Sequence, residues 1–126
     1  MSQETEIVDN GKYNISFNYY GNKIRVYKQL IDVLGNPKYI QFLINTEDLL
    51  LYVRGTDKHD SNCLEVPKFN GNKKFCYELH GRYFIKKISS LAGWTLGGLY
   101  VIQGKYLEQY NLIAFNLREA VRKVND

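Results

Sequence analysis

The feature that most constrains this 126-residue chain is a pattern of residue types that occurs twice. The second occurrence follows the first by 58 residues, and the matching positions are Leu30, Val33 and Gly35 in the first and Ile88, Leu91 and Gly93 in the second. Each occurrence predicts a strand, a helix that ends at glycine, and then a β-hairpin. A unit of about 45 residues is too small to bury both a sheet and a helix. We therefore expect two halves that share one core, related by internal duplication or by the chance alternation common in α+β chains.

The two predicted halves span residues 14–53 and 75–115. Side-chain periodicity and turn residues predict the elements of the first half, which are strands at 14–19 and 24–26, a helix at about 30–34, and a hairpin of 38–44 with 49–53. The same patterns predict the elements of the second half, which are a strand at 75–79, a helix at about 83–92, and a hairpin that pairs 99–102 with 112–115.

Two further segments complete the predicted fold. Residues 54–74 are polar, contain Gly and Pro and lack a sustained period, which predicts a linker between the halves. Asn116 stands three residues before Glu119, the capping spacing of a helix start, and this predicts a C-terminal helix at about 117–124. The predicted fold is α+β in a single domain of residues 1–126, with two similar strand–helix–β-hairpin halves packed around a shared core, plus the C-terminal helix.

Residues 24–35 read Ile-Arg-Val-Tyr-Lys-Gln-Leu-Ile-Asp-Val-Leu-Gly, a short strand and then a helix that ends in Leu-Gly before a hairpin. This arrangement resembles the swapped-hairpin domains of the AbrB/SpoVT type, a family of bacterial DNA-binding regulators and antitoxins. Residues 34–40, Leu-Gly-Asn-Pro-Lys-Tyr-Ile, are similar to small uncharacterised proteins carried by phages and mobile elements of low-GC bacteria. The first resemblance implies DNA binding, and the second implies an origin on a mobile element.

Positive charge is concentrated in the second half of the chain. Residues 1–60 carry 7 basic and 8 acidic side chains, whereas residues 61–126 carry 10 and 5, and the whole chain has a formal charge of +4. Five cations fall within 15 residues beside one acid, Glu78, and they are Lys73, Lys74, Arg82, Lys86 and Lys87. Arg82 and Lys86 share a helix face because they are four residues apart. Clustered cations bind phosphates by releasing condensed counterions, so we predict a nucleic-acid site here, with a merely solvated helix face as the alternative.

Tyrosine is unusually frequent, with 11 in the chain, and most of them fall on predicted strands. A tyrosine on a sheet face can stack on a base or anchor a protein interface, and it also packs well on any pleated surface. We predict a partner-binding surface that includes four tyrosines, namely Tyr39, Tyr52, Tyr100 and Tyr106. Exposed hairpin edges are expected to pair with another chain, either a second copy, which would form a homodimer, or a partner protein.

The chain contains few reactive side chains, with only two His and two Cys. Since His, Cys and acidic residues do not recur at metal-ligand spacing, and no nucleophile stands in a recognisable catalytic pattern, we predict no catalytic residue, no metal, no cofactor and no enzyme activity. Cys63 and Cys76 are expected to be thiols in a reducing cytoplasm. The sequence has no run of about 18 apolar residues and begins with a polar, acidic stretch, so we expect neither a membrane span nor a secretory signal.

Together these features predict a small, non-enzymatic, cytoplasmic binding protein. The leading hypothesis is a nucleic-acid-binding regulator from a phage or mobile element that uses the basic cluster. The alternative is a protein-interaction factor, such as an inhibitor or accessory subunit, that binds its partner through the Tyr-rich sheet or an edge strand.

Overall fold

The computed structural model describes residues 13–19, 22–57, 63–68, 76–95 and 97–123. The strands and α-helices within these ranges are, in chain order, β1 (Tyr13–Asn18), β2 (Lys23–Tyr27), α1 (Lys28–Val33), β3 (Tyr39–Asn45), β4 (Leu50–Thr56), β5 (Cys63–Glu65), β6 (Cys76–His80), α2 (Arg82–Ala92), β7 (Leu99–Leu107), β8 (Leu112–Asn116) and β9 (Val121–Lys123). Single 3-10 turns lie at Glu108–Tyr110 and Leu117–Glu119.

All of these strands belong to one antiparallel sheet, in which the order of neighbours is β5-β3-β4-β8-β7-β1-β2-β6 and β9 pairs with β7 beside that path. The two ends of the path, β5 and β6, contact each other, so the sheet curls into a nearly closed barrel. Strands make up more than half of the described residues, and α1 has only six residues. The prediction of an α+β fold with two packed halves is therefore wrong. The fold is a curled antiparallel sheet with one helix of substantial length, α2.

Alternating side chains explain the core of this barrel. Along part of each long strand, buried residues recur at every second position, and these inward residues include Ile15, Phe17, Ile24, Val26, Ile40, Phe42, Leu51, Val53, Ile102, Ile113 and Phe115. The helices add Leu30 and Ile31 from α1 and Phe84, Ile85 and Ile88 from α2. All of these residues belong to one cluster, so strands from both halves of the chain enclose a single core.

Strand β7 pairs with different strands along its length. Residues 99–104 pair with β1, whereas residues 105–107 pair with β8. The hairpin predicted between 99–102 and 112–115 is therefore wrong in its register, because only Leu112–Ala114 reach β7 and they pair with its last three residues. Periodicity shows that a segment is a strand, but it does not identify the strand beside it.

The predicted C-terminal helix is also wrong. Asn116 does cap a helical turn, since its side chain accepts a hydrogen bond from the Arg118 N–H, but the turn ends at Glu119 and Ala120 is extended. The chain then forms β9, which pairs with residues 99–101 of β7. A single turn of helix is marginal by itself, whereas β9 gains ladder hydrogen bonds along a part of β7 that β8 leaves open. The final predicted residues of that helix, 124–126, lie outside the described residues.

Part of the predicted linker is also a strand. Cys63–Glu65 form β5 and pair with the first three residues of β3. The first three residues of the same segment, 54–56, belong to β4. Residues 58–62 and 69–74 of the predicted linker lie outside the described residues.

Both predicted helix stops are confirmed. Gly35 and Gly93 have positive φ angles of 89° and 75°. After α2, the Gly93 N–H bonds to the Ser90 carbonyl and the Trp94 N–H bonds to the Ser89 carbonyl, and Gly35 and Asn36 make the equivalent bonds after α1. This is the Schellman pattern, in which glycine adopts the left-handed conformation at no steric cost.

The order strand, helix and two strands occurs twice, as β2–α1–β3–β4 and β6–α2–β7–β8. Its origin by duplication stays a prediction.

Gly104 lies where β7 changes partners, and it has no room for a side chain. A Cβ atom there would stand 2.5 Å from Phe115 Cε1 and 2.6 Å from Ile113 Cγ2, and both side chains are fully buried on β8. We expect Gly104→Ala to lower the free energy of unfolding by about 1–3 kcal/mol, because the core must shift to admit the methyl group. Chemical denaturation measures this value. The neighbouring exposed variant Lys105→Ala is the control and should change stability by less than about 0.5 kcal/mol. Equal effects of the two variants would contradict the crowding at Gly104.

Candidate nucleic-acid interface

The helix α2 is amphipathic, and its two sides are chemically distinct. Phe84, Ile85, Ile88 and Ser89 are buried against the sheet. The opposite side is exposed and is formed by Arg82, Tyr83, Lys86, Lys87 and Ser90. We call this side the cationic face of α2. It contains three of the five cations predicted to bind nucleic acid, and the structure presents these three on one surface.

Both ends of α2 are anchored to the sheet. At its start, Gly81 lies so close to β2 that an added Cβ would stand 2.5 Å from Ile24 Cδ1. At its end, the Trp94 ring stacks on Tyr100 of β7 with a centroid separation of 4.2 Å, and it lies 5.7 Å from the ring of Phe17. These contacts give the cationic face a fixed orientation relative to the barrel.

The one acid near the basic cluster in sequence is engaged elsewhere. Glu78 lies on β6 directly opposite Arg25 of β2, and its Oε2 atom is 2.8 Å from Arg25 Nη2. Its Oε1 atom is 3.8 Å from Lys23 Nζ. Among the residues that the structure describes, none of Arg82, Lys86 and Lys87 takes part in an ion pair. In the part of the chain that the structure describes, no acidic side chain therefore neutralises the positive charge on α2.

Arg82 also opposes the helix dipole. Arg82 is the first residue of α2, the first turn contains no acidic residue, and no side chain caps the helix start. The N-terminal end of a helix carries partial positive charge and favours anions. Arg82 and Lys86 are like charges four residues apart, which is also unfavourable. This arrangement does not serve the stability of the isolated helix, but it would favour the approach of an anionic ligand.

Tyr83 belongs to this surface, although the site predicted from the sequence does not include it. Its side chain is 64% exposed, and Lys87 Nζ lies 5.9 Å from the centroid of its ring. The signal was present, since Tyr83 is four residues before Lys87 and falls outside the apolar stripe of the helix. The other two predicted cations, Lys73 and Lys74, lie outside the described residues.

The four tyrosines predicted to bind a partner do not form one surface. Tyr100 is only 6% exposed and is covered by Trp94, so it belongs to the structural core. Tyr106 packs against the core, and its hydroxyl donates to Asn111 Oδ1 at 2.8 Å. Tyr39 and Tyr52 are half-buried at outward positions of β3 and β4. Tyr39, Tyr52 and Tyr106 are thus partly accessible, and a role for them in binding a partner stays a prediction.

The outer side of β3, β4 and β8 is more apolar than alternation requires. Leu43, Tyr52 and Ala114 are direct cross-strand neighbours there. Leu50 and Leu112 lie at outward positions of the same strands, and all five are half-buried. We call these five residues the outer sheet face. It is a second candidate surface, with a chemistry opposite to that of α2.

The described residues contain no group of three or more His, Cys, Asp and Glu side chains that could hold a metal ion. Cys63 and Cys76 are both thiols, the first buried and the second half-buried. In the part of the chain that the structure describes, no helix is long and apolar enough to cross a membrane.

Replacing Arg82 tests whether the cationic face contributes to stability. We expect Arg82→Glu to raise the free energy of unfolding by about 0.3–1 kcal/mol, because an acid suits the helix start and forms a favourable pair with Lys86. Arg82→Gln removes the cation without adding an anion and should give an intermediate value. Thermal and chemical unfolding of the unmodified protein and the two variants measure this order of stability. A marked loss of stability in both variants would show that Arg82 has a structural role.

Comparisons with protein-family models, with curated proteins and with solved structures find no match to this chain. The resemblances to swapped-hairpin regulators and to mobile-element proteins therefore stay predictions. Function must be inferred from the two surfaces of the chain itself, the cationic face of α2 and the apolar outer sheet face.

Proposed function

We propose that this chain is a small, non-enzymatic, cytoplasmic protein that binds nucleic acid through the cationic face of α2. The observation that carries the proposal is that Arg82, Lys86 and Lys87 stand exposed on one anchored helix while Glu78, the acid near them in sequence, is paired with Arg25. An anionic polymer is the partner that such a surface attracts, because phosphates release counterions when several cations bind them.

Further features support this proposal. The α2 surface combines cations with an exposed ring, Tyr83, and aromatic rings beside cations are typical of nucleic-acid interfaces. Both cysteines are thiols, which suits a reducing cytoplasm. The similarity of residues 24–35 to AbrB/SpoVT-type domains supports a regulatory role, and the similarity of residues 34–40 to mobile-element proteins supports an origin on such an element.

Charge reversal on α2 is the direct test. We expect Lys86→Glu/Lys87→Glu to weaken binding to random-sequence DNA by roughly tenfold or more at about 50 mM salt, and to reduce the slope of log affinity against log salt by about 2. Fluorescence anisotropy over a salt series measures both quantities. The double variant Lys105→Glu/Lys123→Glu is the matched control, because it makes the same change in net charge on β7 and β9. The control should retain most of the affinity.

Two outcomes would contradict the proposal. The first is no binding of the unmodified protein to DNA or RNA at about 50 mM salt, where phosphate contacts are strongest. The second is an equal loss of affinity in the two double variants, which would indicate that net charge alone governs binding and that α2 is not the site.

A second candidate function is protein association through the outer sheet face. The observation that favours it is the row Leu43, Tyr52 and Ala114, which places apolar side chains at outward positions of three neighbouring strands. Half-exposed sheets normally place polar residues there, and contiguous apolar patches mark interaction sites. The occupant that needs no further component is a second copy of the chain, which would form a two-fold symmetric dimer.

Analytical sedimentation tests this candidate function, because it measures the oligomeric state of the protein. If the face is a dimer interface, the protein sediments as a dimer at about 100 µM, well above a micromolar dissociation constant, and Leu50→Lys/Tyr52→Lys converts it to a monomer. Ser90→Lys/Thr95→Lys, at two exposed positions on α2 and directly after it, is the control and should remain dimeric. A monomeric unmodified protein at that concentration would exclude the homodimer.

A further inference from the structure

A groove lies between α2 and the second half of β3. The strand contributes Phe42, Leu43 and Ile44, and the helix contributes Tyr83, Phe84 and Lys87. Its volume is about 440 Å³, which falls within the range of about 300–1,000 Å³ that small-molecule sites occupy. We call it the β3–α2 groove. It adjoins the cationic face, because Tyr83 and Lys87 belong to both.

Aromatic rings build one side of this groove. Phe42 and Phe84 are buried, and their ring centroids are 5.0 Å apart. Tyr83 meets Phe84 edge to face, with centroids 5.5 Å apart, and its own ring remains largely exposed. The Tyr83 ring thus contacts a fixed neighbour, while most of its side chain remains accessible beside Lys87. A flat aromatic ligand can stack on such a ring.

The charges around the groove identify the kind of ligand. The described residues that line it include one cation, Lys87, and no acid. Arg82 and Lys86 lie on the same helix beside it. A ligand that fits both features joins a flat apolar ring to phosphate groups, and a nucleotide unit within a strand has this composition. A peptide with an apolar side chain would use the groove but would leave the three cations without a partner.

The accessible ring also distinguishes single strands from duplexes. In a duplex each base is stacked on both sides, so its face cannot reach a side chain outside the helix. In a single strand the bases can be unstacked and placed on aromatic rings while the backbone follows a positive groove. Phosphate binding alone would require the cations of α2 but would not require an exposed Tyr83.

We infer that the β3–α2 groove receives an unpaired base, which stacks on Tyr83 while Arg82, Lys86 and Lys87 bind the adjoining phosphates, so that the chain binds single-stranded nucleic acid in preference to duplex. This inference rests on the proposed function, since it names the form of nucleic acid that the same surface takes.

Three probes of equal length separate the contributions to binding. They are a single-stranded oligodeoxythymidylate, a duplex of mixed sequence, and a single strand of the same length without bases. We expect the oligodeoxythymidylate to bind most tightly and the strand without bases to bind about 5- to 150-fold more weakly, since one stacked base contributes a factor of that size. Anisotropy at about 50 mM salt gives each affinity.

The matched variants are Tyr83→Ala and Tyr83→Phe. Tyr83→Ala should reduce the affinity for oligodeoxythymidylate by about 5- to 150-fold, whereas Tyr83→Phe, which retains the ring, should stay within about twofold of the unmodified protein. Neither variant should change the affinity for the strand without bases or the salt slope, because the phosphate contacts are intact. Since Tyr83 is 64% exposed, both variants are expected to fold, and their thermal unfolding verifies this.

The failure of this inference differs from the failure of the proposed function. If the protein binds the three probes equally and Tyr83→Ala has no effect, the groove takes no base, and the cations bind phosphates alone. If Tyr83→Ala weakens binding to the duplex as much as to the single strand, the preference for unpaired bases is wrong. If no probe binds at about 50 mM salt, the proposed function itself fails.

Discussion

The crowding at Gly104 is the constraint on which the rest of this structure depends. One strand must pair with β1 along its first part and with β8 along its last part, and β7 does both within nine residues. The turn brings the β7 backbone against the buried side chains of Ile113 and Phe115. A residue with a Cβ atom would force these side chains to shift, which would weaken the packing where the two parts of the barrel meet around one core.

The position of α2 follows from this curled sheet. Gly81, directly before its first turn, lies against Ile24 of β2, and Trp94 after its last turn stacks on Tyr100 of β7. The same pairing of β2 with β6 places Glu78 opposite Arg25. Sheet formation therefore both fixes the helix and pairs Glu78, which shortly precedes the helix in sequence, with Arg25. The register between strands that lie far apart in the sequence thus leaves the cations of α2 without an acidic partner among the described residues.

Local features of the fold could be predicted from the sequence, and long-range features could not. The helix ends at Gly35 and Gly93 were predicted because a left-handed glycine acts within one turn. The hairpin of β3 and β4 was predicted because its turn is short. The partners of β7 were missed because any strand with the same alternation fits the same pattern. The burial of Tyr100 beneath Trp94 could not be predicted for a related reason, since alternation does not show whether a tyrosine on a strand packs against another ring or contacts a partner.

By itself, the sequence determined where most of the long strands lie, where both helices end, which face of α2 is apolar and how its cations are spaced, because each of these depends on neighbours within a few residues. Only the tertiary structure decided that the sheet closes around one core, that residues 121–123 form β9 and not part of a helix, and that Arg25 pairs with Glu78 across 53 residues of sequence. It also placed Tyr83 beside Phe84 and β3 at the edge of a groove. These outcomes depend on register and packing between distant strands, and hydrogen bonds of equal strength are available in every register until the side chains of the core select one.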